Sequence, residues 1–148
     1  MNYRLILVCI LALTVASTSA QINSSGAFDA RPVHLFNQFP SITNCKISEL
    51  EKVFSANENE ILLRFMENHP WKAKIISRIR QNQAAETVNL SMVEFPKTIL
   101  SISRVKGENG IQYRGLMWSD ISEDAFVFSQ LNNQYLLIKT EKRLVIAE

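Results

Sequence analysis

The residues of this chain with the greatest capacity for nucleophilic or metal chemistry are two histidines and one cysteine. His34 and His69 belong to no HExxH motif, and Cys45 lies between them without a second cysteine nearby. A hydrolase needs a nucleophile, a general base and an oxyanion hole, and no Gly-x-Ser-x-Gly motif is present to supply the first. The sequence favours a non-enzymatic protein and predicts no catalytic residues, no metal site and no cofactor. The alternative, a small secreted hydrolase, would require the fold to bring Cys45 or a carboxylate beside one histidine.

Cys45 has two interpretations. Cys9 lies in the segment that we expect to be removed, so Cys45 would be the one cysteine of the mature chain and would have no internal disulfide partner. In the first interpretation it has a functional role, as a reactive free thiol or as one half of an intermolecular disulfide that makes a dimer. In the second it is a small buried apolar side chain.

The densest basic cluster consists of Lys72, Lys74, Arg78 and Arg80. On a helix, Lys74 and Arg78 would stack at i, i+4. This pattern is typical of the solvated face of an amphipathic helix, and its sharper interpretation is a surface patch that recruits glycans or acidic lipid. The acidic run at 118–124 lacks the spacing of a calcium-binding loop and predicts a solvated turn.

Several aromatic side chains fall in predicted core-facing positions. They would either form the core or line a ligand pocket between helices and sheet. The candidates for pocket lining are Trp71, Tyr113, Trp118, Phe126 and Phe128.

The first twenty residues predict the compartment. Arg4 precedes an apolar run over 5–15, and small residues follow at 17–20, which is the pattern of a secretory signal peptide. The run is shorter than the roughly 20 apolar residues that span a bilayer, which favours a cleaved signal over an uncleaved anchor. No second apolar segment approaches that length, so we expect no stable membrane anchor after cleavage. The mature protein is expected to be extracellular, or periplasmic in a bacterium. In a eukaryote, the sequons at Asn23 and Asn89 would be glycosylation sites.

The charge balance argues against one class of partner. The chain has 16 basic and 14 acidic side chains, a formal net charge of +2. A nearly neutral protein has little electrostatic attraction for a phosphate backbone. We therefore expect no nucleic-acid partner.

The hydrophobic pattern divides the rest of the chain into an extended arm at 21–44 and a single domain at 45–148. Apolar spacing typical of helices predicts about three of them, near 48–55, 57–68 and 70–85. After residue 90 the period changes to that of strands. Asn109-Gly110 predicts a hairpin, and Asn132-Asn133 predicts a second tight turn.

Helices followed by a meander predict an α+β fold, in which about three N-terminal helices pack on one face of a four- to five-stranded antiparallel sheet. With no catalytic motif and an apolar arm, the sequence favours a secreted binding or effector protein that acts on another protein or a cell surface. The alternative is a carrier of a small molecule or lipid, with an apolar ligand held between helices and sheet.

Overall fold

The computed structural model describes residues 33–146 of the 148-residue chain. These residues form one curved sheet of eight strands, in the order β1-β8-β7-β6-β5-β4-β3-β2, with every neighbouring pair antiparallel. The edge strands β1 and β2 come within 8 Å of each other between Cα atoms, so the sheet nearly closes into a barrel. The elements are β1 Ile42–Cys45, α1 Ile47–Ser55, β2 Glu60–Met66, β3 His69–Arg80, β4 Ala85–Met92, β5 Thr98–Gly107, β6 Gly110–Ser119, β7 Asp124–Leu131, β8 Gln134–Glu141 and α2 Arg143–Ile146.

The predicted α+β fold is wrong, because the described residues are predominantly strand. Of the three expected helices only the first is present, as α1, and the regions expected to hold the other two form β2, β3 and the start of β4. The described sheet has eight strands where four or five were expected. The predicted signal peptide and Asn23 lie outside the described residues.

A bulge in β2 explains part of this error. Ile61, Leu63 and Phe65 are buried and alternate with exposed neighbours, as in any strand with one face on a core. The register then shifts between Leu63 and Met66, and Met66 is buried as well. Such an irregularity breaks the period of two and leaves apolar spacing that also fits a helix.

A second bulge produces the same ambiguity in β3. Trp71 and Ala73 are buried and Lys72 is exposed, but the register shifts between Ile75 and Ser77. Beyond the shift, Arg78 pairs in register with the buried Val88 and lies on the inner face of the sheet.

Both predicted hairpins are present, with two-residue connections at 108–109 and 132–133. Gly107 pairs with Gly110, whose φ of +101° closes the β5–β6 hairpin. Asn132 and Asn133 have φ angles of +50° and +61° between β7 and β8, the geometry of a type I′ turn. Asparagine tolerates these angles better than most residues.

Residues 33–41 lie against the core at one end of the sheet. Phe36 and Phe39 are buried and contact the ring of Phe126, at centroid separations of 5.1 and 6.4 Å. The Asp124 carboxylate accepts a hydrogen bond from the backbone N–H of Phe36 at 3.0 Å. Lys139 Nζ donates to three carbonyls of the same segment, the shortest at 2.8 Å to Phe39. The buried Asp124 of the acidic run therefore holds this segment in place.

Helix α1 packs at the opposite end, where β1 ends and β2 begins. Its residues Leu50 and Val53 are fully buried. Phe54 lies 5.8 Å from the ring of Tyr113 between centroids. The Arg78 guanidinium donates to backbone carbonyls at the end of the helix, at 2.7 Å to Ala56 and 3.0 Å to Val53. The negative end of the helix dipole also stabilises a cation at this position.

Candidate functional site

A groove of about 870 Å³ runs along the seam between the two edge strands. Its walls come from β1, the start of α1, the end of β2, the turn at 38–40 and the β7–β8 turn. We call it the seam groove. It exists because β1 pairs only with β8 and β2 only with β3 in the described sheet.

The floor of the seam groove is apolar and closely packed. The Phe65 ring lies edge-on to Phe128 at 5.1 Å and to Trp71 at 5.9 Å. The hydroxyl of Tyr135 accepts a hydrogen bond from the backbone N–H of Tyr113 at 3.1 Å. These contacts give the groove a preformed apolar base, whose buried members are Phe39, Cys45, Phe65, Met66 and Tyr135.

The rim is polar and exposed. Lys46 and Glu67 face each other across the seam, with 3.9 Å between Nζ and Oε1. Arg64 also lines the groove, so its lysine and arginine side chains place two cations against the one carboxylate of Glu67. The Lys46–Glu67 pair is solvent-exposed and worth about 0–1 kcal/mol, so it is a weak barrier to an incoming ligand.

The main chain of β1 presents free hydrogen-bonding groups to the seam. The N–H of Lys139 donates to the carbonyl of Ser41 at 2.8 Å, which fixes the phase of the β1–β8 ladder. In an antiparallel ladder, alternate residues direct their N–H and C=O to the same neighbour. Ile42 and Asn44 therefore direct both groups at the seam, where residues 33–146 supply no hydrogen-bond partner for them.

The facing edge of β2 is protected by side chains of α1. Glu49 accepts a hydrogen bond from the backbone N–H of Arg64 at 2.7 Å. Lys52 donates to the carbonyl of Leu62. The two edges of the seam are therefore unequal, because α1 occupies part of the β2 edge and leaves the β1 edge open.

Cys45 and His69 both line the groove, but they do not form a nucleophilic pair in the described structure. Burial, followed by the nearby Glu49 charge, raises the pKa of the Cys45 thiol to about 12. Its Sγ contacts the carbonyl of Lys46 at 3.8 Å, and the His69 ring lies edge-on to Phe39 at 5.8 Å. A protonated, buried thiol is a poor nucleophile.

One further polar atom belongs to the groove. The Thr43 hydroxyl is buried and has no hydrogen-bond partner among residues 33–146. Buried hydroxyls without a partner are uncommon, and this one lies beneath the β1 wall of the groove.

None of the five aromatic residues proposed as pocket lining borders the seam groove. Phe126, Phe128 and Trp71 are buried, with Trp71 and Phe126 at 6.1 Å between centroids. Tyr113 is also buried and lies edge-on to Tyr135 at 5.6 Å. Trp118 pairs in register with Ile99 and Ala125 and is half-buried, one position out of phase with the buried Met117.

The four basic residues expected on an amphipathic helix are distributed along β3 instead. Lys72 and Lys74 are exposed and bind Glu60 at 2.7 and 3.2 Å. Hydrogen bonds from these two lysines lower the pKa of the Glu60 carboxyl. Arg78 binds α1, and Arg80 lies at the far end of the strand. The expected helical patch is therefore not formed.

Asn89, the sequon asparagine within the described residues, is half-buried on β4. Its side-chain amide donates to Ser77 Oγ at 3.0 Å on the neighbouring strand β3. A glycan on Asn89 would have to replace this contact.

Residues 33–146 contain neither a metal-binding cluster nor a membrane-spanning helix. No group of three or more His, Cys, Asp or Glu side chains in this range is arranged to hold a metal ion. Neither of its helices is long and apolar enough to cross a membrane.

Comparison with protein-family models, with curated proteins and with solved structures finds no match to the chain. The function is therefore inferred from the geometry of the groove.

Sequence reasoning did not single out the residues of the open edge of the seam, Ile42 and Asn44. The available signal was a short apolar-polar alternation between Pro40 and the start of α1, which is typical of a short edge strand.

Proposed function

We propose that the protein is a non-enzymatic binding protein that takes an extended segment of a partner protein in the seam groove. The observation that carries this proposal is the pair of residues, Ile42 and Asn44, whose main-chain groups face the seam without partners among residues 33–146. Asn44 also lines the groove itself. An extended peptide satisfies such groups by adding a strand to the sheet edge.

The apolar floor supplies the second part of recognition. A peptide strand directs alternate side chains to opposite faces, so one side chain of the segment would point at Phe39, Phe65 and Tyr135. Burial of an apolar side chain there would contribute about 1.5–3 kcal/mol. We therefore expect the bound segment to carry an aliphatic or aromatic anchor.

The width of the seam sets a cost for binding. Neighbouring strands lie about 4.8 Å apart, so a strand between β1 and β2 needs roughly 9.6 Å. The two strands approach within 8 Å between Cα atoms. Binding therefore requires β2 to move outward by at least about 1.6 Å at that point, together with α1, which holds its edge through Glu49 and Lys52.

The signal-like first twenty residues support secretion, so we propose that the partner is a secreted or cell-surface protein, or a periplasmic one in a bacterium. The packed aromatic interior gives no support to a ligand held inside the sheet. The groove itself, at about 870 Å³, is within the usual size of small-molecule sites, so a small apolar ligand there is the second candidate.

The decisive test uses two variants of one residue. Peptides selected from a displayed random library against the natural chain would be measured on Asn44→Pro and Asn44→Ala. Proline removes the N–H that faces the seam and leaves the β8 ladder intact, whereas alanine removes only the side chain. We expect affinity to fall at least tenfold in Asn44→Pro and to change less than threefold in Asn44→Ala.

Hydrogen exchange gives an independent readout. The amides of Ile42 and Asn44 should exchange more slowly in the complex, because a paired strand edge is protected. Equal affinity for both variants, or unchanged exchange at these amides, would refute strand addition. If no peptide is selected but an apolar dye such as anilinonaphthalene sulfonate binds, the small-ligand candidate is favoured instead.

A further inference from the structure

A second concavity lies where the β3–β4 hairpin meets the ends of β5 and β6. It has a volume of about 290 Å³ and includes the loop at 81–84. We call it the hairpin-end pocket. It does not share a lining residue with the seam groove, so a ligand bound there is independent of the proposed function.

The charges that line this pocket are unbalanced. Three cationic side chains, Arg80, Arg104 and Lys106, accompany one carboxylate, Glu86. Glu86 binds Arg104 at 2.7 Å through one oxygen and Arg80 at 3.9 Å through the other. Lys106 forms no ion pair within residues 33–146. The pocket lining therefore carries an excess of two positive charges.

One of the cations, Arg104, is held in place by its neighbours. The side chain of Glu86 is only 12% exposed, and the Arg104 guanidinium stacks on Phe54 at 4.6 Å from the ring centroid. The register of β3, β4 and β5 sets Arg80, Glu86 and Arg104 side by side. Glu86 neutralises one of the three positive charges, and the remaining charges repel each other unless a further anion joins them.

The loop beside the cations adds a neutral donor. The side-chain oxygen of Asn82 accepts a hydrogen bond from the N–H of Ala84 at 2.8 Å. This contact leaves the Asn82 amide nitrogen to act as a donor. A tetrahedral oxyanion has enough acceptor oxygens to engage two guanidinium groups, an ammonium and an amide together.

We propose that the hairpin-end pocket binds a dianionic tetrahedral oxyanion, either as free sulfate or as the phosphate ester of a small molecule. A charge of −2 would balance the two excess cations. Guanidinium groups match such oxyanions through paired N–H donors, and lysine adds a point charge.

The test is an NMR titration of the full mature chain with sodium sulfate and, separately, with glycerol 3-phosphate. Sodium chloride at matched ionic strength is the reference. We expect saturable shifts at the amides of 82–86 with at least one dianion and not with chloride. Equal saturation by both ligands would assign the site to the oxyanion itself, and tighter saturation by glycerol 3-phosphate would assign it to the ester.

Single variants locate the effect. Arg80→Gln and Lys106→Gln should each weaken binding about tenfold, because each removes a charge-assisted contact. Both positions are exposed, so the fold should tolerate the changes. The matched control is Arg114→Gln, an exposed arginine outside the pocket. Shifts that chloride reproduces, or that persist unchanged in Arg80→Gln and Lys106→Gln, would overturn the proposal.

Discussion

Truncation of Phe36 tests whether the segment before β1 is an integral part of the core. Phe36 is fully buried, 5.1 Å from Phe126 and 5.6 Å from Phe95 between ring centroids. A buried phenylalanine removes about 150–250 Å² from water, worth roughly 4–6 kcal/mol at about 25 cal/mol per Å². Alanine retains part of this, so Phe36→Ala should lower the free energy of unfolding by about 3–5 kcal/mol.

The assay is urea denaturation followed by tryptophan fluorescence, since Trp71 lies in the same cluster. The control is Val33→Ala, because Val33 is 48% exposed in the same segment. It should change the free energy of unfolding by less than about 0.5 kcal/mol. If Phe36→Ala does not fold, Phe36→Leu should still lower stability by about 1–2 kcal/mol.

A loss below about 1 kcal/mol in Phe36→Ala would refute the reasoning. It would mean that the segment docks only loosely, and that the core of β-sheet side chains is stable without it. A double-mutant cycle with Phe126→Leu gives a second check. Coupling of about 0.5–1.5 kcal/mol is expected for two aromatic rings in contact.

Three further changes have defined outcomes. Gly115→Ala should lower the free energy of unfolding by about 1–3 kcal/mol, because the added Cβ would lie 2.7 Å from the Phe128 ring. An unchanged midpoint in a denaturant titration would contradict this contact. Arg78→Met removes the hydrogen bonds from the guanidinium to the carbonyls at the end of α1, so hydrogen exchange should show amide protection in α1 reduced by about tenfold. Unaltered protection would show that those hydrogen bonds are dispensable. Burial raises the pKa of the Cys45 thiol from its ordinary value of 9.0 to about 12 in the folded protein. As the pH rises through this range the thiol ionises in the unfolded chain first, so the free energy of unfolding should fall between about pH 9 and 12. Cys45→Ala should lack this component, and parallel pH profiles for the two chains would argue against it.

The sequence was informative where its signals are local. Turn chemistry at Asn109-Gly110 and Asn132-Asn133 depends on a few adjacent residues, and both hairpins are present in the structure. The helix over 48–55 had its own apolar stripe and matches α1 within one residue at its start.

The sequence misled where bulges interrupt the period of strands. Residues 60–80 carry two bulges, so neither β2 nor β3 keeps a strict alternation over its whole length. Isoleucines at 75, 76 and 79 have the β-branched side chains that favour strands. Weighing that preference against helical spacing would have favoured the observed strand β3.

The candidate sites depend on non-local pairing and were beyond local patterns. The seam groove joins β1 near residue 44 with β2 near residue 64 and the turn before Tyr135. The hairpin-end pocket joins Arg80 with Lys106. Sequence spacing gives no measure of such distances unless the strand order is already known.

The size of the open edge limits what it can recognise without help. Only Ile42 and Asn44 direct main-chain groups at the seam from β1, which provides four hydrogen bonds at most. At about 1 kcal/mol each, these contribute roughly 4 kcal/mol, no more than the lower estimate of the cost of association. Pairing alone therefore gives no stable complex. Affinity must come from an apolar anchor on the groove floor, so replacing the anchor of a selected peptide by alanine should weaken binding more than any change to its polar side chains.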